Sequence, residues 1–137
     1  MWWIYALLSA LFAALTAVFA KIGIKGVDSD LATAIRTVVI LLIAWAIVLY
    51  KGVQHNIGGL NKLNWTFLML SGCATGLSWI FYFKALQLGK VSQVAPVDKL
   101  SVAIAIVLSV LFLGEPLTLK TGSGALLIIA GTLVLIF

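Results

Sequence analysis

Three ionisable residues lie well inside long apolar runs: Arg36, Asp98 and Lys99. On a helix rising about 1.5 Å per residue, Arg36 lies ~8 Å from the nearer end of its run. By the same rise, Asp98 and Lys99 lie ~9–10 Å from the end of theirs. A charge at such depth in a bilayer is expensive unless it is paired or hydrated. Either Asp98 neutralises Arg36 or Lys99 while the lysine snorkels to the headgroups, or the three residues line a wet cavity and hold a solute or coupling ion. Asp98 is the only deep acid, so any proton coupling falls to it. Summed, the two bases and one acid leave a positive site, which favours anionic or zwitterionic solutes over cations.

Hydroxyl groups extend this chemistry. Ser71, Thr75, Ser78 and Tyr82 recur at spacings of four, three and four, which is one face of a helix. Asp98, Ser101, Ala105 and Ser109 recur at three, four and four. Two polar stripes suit a solute pathway, although Ser and Thr also serve as packing glue between membrane helices. Trp79 and Tyr82 fit either the wall of a solute site or an interfacial aromatic belt.

Other chemistries find no support. The chain has no P-loop, nucleophile elbow, HExxH or cysteine–histidine cluster, so it is not expected to be an enzyme or to use a metal or cofactor. His55 reads as an exposed polar residue in the longest connection. Cys73 is the single cysteine, so there is no intrachain disulfide and no thiolate metal set. The net charge of +5 comes from basic residues scattered singly, unlike a nucleic-acid surface. They orient spans and meet anionic headgroups instead.

The elements that must position these residues follow from composition. The chain is 64% hydrophobic and 9% charged, whereas soluble domains carry about a quarter charged residues. A spanning helix takes about 20 residues, and the apolar runs are Trp3–Ala20, Leu31–Tyr50, Trp65–Phe83, Gln93–Leu113 and Thr121–Phe137. Only helices satisfy their own backbone at this length, and no period-two alternation suggests a barrel. The expectation is an all-α membrane protein with five transmembrane helices in a single domain, 1–137. Its connections are Lys21–Asp30, Lys51–Asn64, Lys84–Ser92 and Gly114–Lys120. Met1-Trp2-Trp3 lacks the positive flank of a signal peptide, so the first run is expected to be retained. Trp2, Trp3, Tyr50 and Trp65 mark span ends as belt residues.

Small residues suggest close packing: Gly72 and Gly76 as GxxxG, Ala10, Ala13, Ala17 and Ala20 on the first span, and Gly124 and Gly131 on the fifth. Gly114 suits a helix C-cap and Thr118 the next N-cap, with Glu115 in the turn between. A weak repeat pairs Lys21 with Lys84, Gly26 with Gly89, Ser29 with Ser92, Ala32 with Ala95 and Arg36 with Lys99. It places Arg36 and Lys99 at similar depth. Loop lysines number three on the N-terminal side (Lys51, Lys62, Lys120) and four opposite (Lys21, Lys25, Lys84, Lys90), almost no orienting bias. Counting Arg36 and Lys99 tilts the second side towards the cytoplasm.

The stretch from Trp79 to Gly89 (WIFYFKALQLG), then Val91-Ser92-Gln93-Val94-Ala95-Pro96, resembles spans three and four of an EamA-type unit of the drug/metabolite transporter superfamily. Leu113-Gly114-Glu115-Pro116-Leu117-Thr118 and the glycines opening span five fit the same pattern, and such units often carry an arginine where Arg36 stands. Most members resemble two fused units, whereas this chain resembles the short five-span bacterial and archaeal branch. The resemblance implies half of a ten-helix inverted-repeat transporter moving small metabolites or drugs by alternating access in the plasma or inner membrane. It implies that Trp79 and Tyr82 border the cavity and that Arg36, Asp98 and Lys99 are its polar contacts.

An odd number of spans puts the termini on opposite sides, so an unfused unit reaches inverted symmetry only as an antiparallel homodimer. The expected partners are therefore membrane lipid, a small-molecule substrate and a second copy. The competing reading is a non-transporting membrane subunit that assembles with another protein through its glycine seams.

Overall fold

The computed structural model describes residues 1–137 as helices joined by short turns. They are α1 (Trp2–Gly23), α2 (Ser29–Lys51), α3 (Lys62–Leu88), α4 (Val91–Asp98), α5 (Leu100–Leu113) and α6 (Leu119–Ile136), with a 3-10 helix at Val53–Gly59. Taking α4 and α5 together, five segments are long and apolar enough to cross a membrane, matching the five apolar runs. The helices outrun those apolar cores because Lys, Gln and Leu at their ends are good helix formers. Thus Lys84 belongs to α3, and the third connection shrinks to Gly89 and Lys90.

The helix ends follow the local sequence. Asp28 caps α2, its carboxylate accepting from the amides of Asp30 at 2.9 Å and Leu31 at 3.2 Å. Gly114 ends α5 in the left-handed region at φ 68°, as its position suggested. Thr118 and Thr121 then close a reciprocal cap on α6, and the Glu115 amide donates to the Ser109 carbonyl at 3.3 Å. The residues read as a turn are a turn.

The fourth span departs from the single helix expected. Pro96 sits inside α4 and has no N–H to donate to the Ser92 carbonyl, so the ladder loses a bond there. Three residues on, the Lys99 amide is shared between the carbonyls of Ala95 at 3.3 Å and Pro96 at 3.0 Å, a local 3-10 tightening. The α-helix stops at Asp98 and restarts at Leu100. The polar stripe from Asp98 to Ser109 is therefore carried by two helices.

The chain divides into two compact units, Met1–Val18 with Leu88–Phe137, and Phe19–Gln87. In the first, α4, α5 and α6 pack together, burying Ala103 and Thr132. The Thr132 hydroxyl donates to the Pro96 carbonyl at 3.2 Å, tying α6 to the site of the break. Thr132→Val keeps the shape and removes this donor. It should destabilise the protein by about 1 kcal/mol in reversible unfolding from detergent micelles. An unchanged midpoint would mean that the Lys99 amide alone satisfies the carbonyl.

In the second unit, the core gathers Ile24, Ser29, Thr33, Phe83 and Leu86 at the end where α2 begins and α3 finishes. The Lys21 ammonium donates to the Leu86 carbonyl, and Gln87 donates to the Val27 carbonyl at 2.9 Å. The connection between α1 and α2 is thereby fastened to the end of α3.

Most glycine seams do not bring helices of this chain together. A Cβ at Gly72, Gly76, Gly124 or Gly131 would meet no heavy atom within 4 Å. On α1, Ala17 is buried and Ala20 half-buried, while Ala10 and Ala13 are exposed.

Candidate functional site

In the second unit the site begins with Arg36, seven residues after the start of α2, a rise of about 10 Å. Trp79 and Phe83, four apart on α3, present adjacent rings on one helix face. The Arg36 guanidinium lies over both, 4.1 Å from the Trp79 centroid and 5.1 Å from that of Phe83. Tyr82 packs edge-on against Phe83, with centroids 6.4 Å apart at 69°, and its phenol is within electrostatic reach of the guanidinium. Each cation–π contact is worth ~0.5–2 kcal/mol depending on hydration. The rings thus offset part of the penalty of placing a cation here.

A cation–π contact consumes no hydrogen bond of the guanidinium and leaves its five N–H donors available. Those donors make neither a hydrogen bond nor an ion pair, and Arg36 is only half-buried. On α3, Thr75 precedes Trp79 by one turn, and its hydroxyl donates to the Ser71 carbonyl of its own helix at 2.8 Å. Ser71, Thr75 and Ser78 are exposed and form no interhelical hydrogen bond. Packing glue is not their role within this chain.

In the first unit, Asp98 and Lys99 meet at the helix break. The Lys99 ammonium donates to the Asp98 carboxylate at 3.1 Å, their side chains 55% and 34% exposed respectively. Of the neutralising partners considered for Asp98, Lys99 is the one observed. Ser101 follows in the first turn of α5, exposed. Lys99 lies eight residues into its span and Arg36 seven into α2. A groove of about 770 Å³ also runs between α5 and α6, past Ala103, Ile106, Leu126 and Ile129. No charged residue lines it, so it lacks the convergent polar groups that orient a polar ligand.

The structure therefore gathers Arg36, Trp79 and Tyr82 into one cluster, joins Asp98 to Lys99, and strings Ser71, Thr75 and Ser78 along α3. Sequence reasoning placed Phe83 on the same side of its span as Trp79 but not in the site, and it did not anticipate the interruption of the fourth span after Pro96.

Comparison with known proteins follows this geometry. The profile of the EamA-like transporter family matches residues 1–137. A Sinorhizobium sp. protein described as an uncharacterized transporter in the cobO 3' region is 52% identical over 134 residues, covering 98% of this chain and 95% of that protein. An uncharacterized protein of Methanocaldococcus jannaschii is 33% identical over 132 residues, covering 96% and 93%. No solved structure matches the chain.

Proposed function

Because the chain belongs to the EamA-like transporter family, we propose that it moves a small metabolite or drug across the plasma or inner membrane by alternating access. The observation that carries this reading is the fourth span, broken at Asp98 and Lys99. A broken helix frees backbone polar groups within the bilayer, tolerable only where protein or a hydrated cavity meets them. Transporters place such breaks where substrate and coupling ions bind. Asp98 is assigned as the proton carrier. The residues assigned to meet substrate in the cycle are Arg36, Ser71, Thr75, Ser78, Trp79 and Tyr82 in one unit and Asp98, Lys99 and Ser101 in the other. The chain acts as a transporter and not as an enzyme.

The working form is an antiparallel homodimer of one-domain chains. Five spans leave the termini on opposite faces, and inverted symmetry then requires two oppositely inserted copies. The near-equal lysine counts of the connections support insertion in both directions. Cysteine tags at either terminus, probed with an impermeant reagent in intact cells, should label about half of each population. Uniform labelling of one terminus overturns the antiparallel arrangement. Purified protein in liposomes should also drive solute flux alone. Absence of flux, with stable capture of an unrelated membrane chain, would favour the subunit reading.

A further inference from the structure

We infer that Arg36, set over Trp79 and Phe83, is the receptor for the carboxylate of an organic anion whose apolar body lies along α3. The inference deepens the transporter reading and rests on it for the solute's purpose, though not for its binding.

The geometry supplies three arguments. The rings lie 4.1 and 5.1 Å from the guanidinium carbon and hold the cation against α3, while none of its donors is hydrogen-bonded within the chain. A planar fork of N–H groups matches a carboxylate with two parallel hydrogen bonds, each charge-assisted. The second argument is charge. α3 carries no acid, and the only acid on α2 is Asp30, six residues before Arg36. That offset is about 240° around the helix and ~9 Å along it, so Asp30 belongs to another face. The third is the neighbourhood. Trp79 offers apolar surface beside the cation. An anion with an apolar body finds a charge partner and a wall; a cation finds repulsion.

Arg36 is the chain's only arginine, so ¹⁵N-arginine labelling yields one side-chain Nε–H resonance in detergent micelles. Benzoate is the probe and benzylamine its cationic counterpart. Benzoate should shift that resonance saturably and benzylamine should not. In direct binding of radiolabelled benzoate, Arg36→Gln should lose about tenfold or more in affinity, and Arg36→Lys most of that, because the lysine keeps the charge but not the fork. The charge-preserving lysine variant guards against simple misfolding. No saturable shift, an equal response to benzylamine, or undiminished binding in Arg36→Lys overturns the assignment. Phosphatidylglycerol added to the micelles tests the other source of an anion: displacement of benzoate by it would make the receptor one for lipid headgroups and overturn the solute assignment. Benzoate binding without flux in liposomes would defeat the transporter reading and leave the receptor standing. Flux indifferent to Arg36→Gln would do the reverse.

Discussion

Asp98→Asn is expected to abolish the response of solute transport to a pH gradient. Asp98 is the only acid in the interior of a span, and it sits at the break between α4 and α5. Asparagine keeps the size and most hydrogen-bonding capacity of the carboxylate but can neither take up nor release a proton. Its pairing with Lys99 at 3.1 Å is also lost, yet those side chains are 55% and 34% exposed, so the change in stability should be small. For one proton per solute, a gradient of one pH unit supports about tenfold accumulation, equivalent to ~1.4 kcal/mol. Proteoliposomes of the parent protein should approach that ratio, whereas the variant should only equilibrate. Measurable counterflow would show that the variant is folded. Accumulation that persists in Asp98→Asn removes Asp98 from coupling.

The second large effect concerns Pro96. Pro96→Ala restores an N–H that can donate to the Ser92 carbonyl, and it removes the ring that crowds the preceding turn. A proline inside a helix is unfavourable by ~3 kcal/mol relative to alanine, so the variant should unfold later, by about 1–3 kcal/mol. Transport should move the other way. If the interruption at Asp98 and Lys99 is what the cycle uses, closing it into one continuous helix should slow turnover by about tenfold or more. A more stable and slower protein is the expected pair of results, read by micelle unfolding and by counterflow. Unchanged values of both would mean that the break has another cause.

The elements were legible in the sequence because a bilayer allows so few solutions. Each apolar run of helix length became a span, and Gly114 and Thr118 marked a C-cap and an N-cap that the backbone then adopted. The positions of Arg36 and Lys99 along their helices followed from counting residues, since helical rise is constant. What counting could not supply was the choice of partner. Asp98 had two candidate bases, and the pair that forms, with Lys99 at 3.1 Å, depends on the rotamer of a long flexible side chain rather than on spacing. Nor could Trp79 be read from sequence as belt or wall, since either use has the same residue type at the same depth.

Phe83 illustrates the remainder. It lies among the apolar residues of its span, yet it is buried and shares the guanidinium with Trp79. The sequence by itself determined that this is a five-span helical membrane protein carrying three ionisable groups within its spans, because hydrocarbon admits only self-satisfied helices and makes every such group conspicuous. Tertiary structure alone decided that Arg36 rests on two aromatic rings with its donors open, that Asp98 answers Lys99, and that the fourth span breaks where they meet. Those are contacts across helices or local failures of the hydrogen-bond ladder, and apolar periodicity carries no record of either.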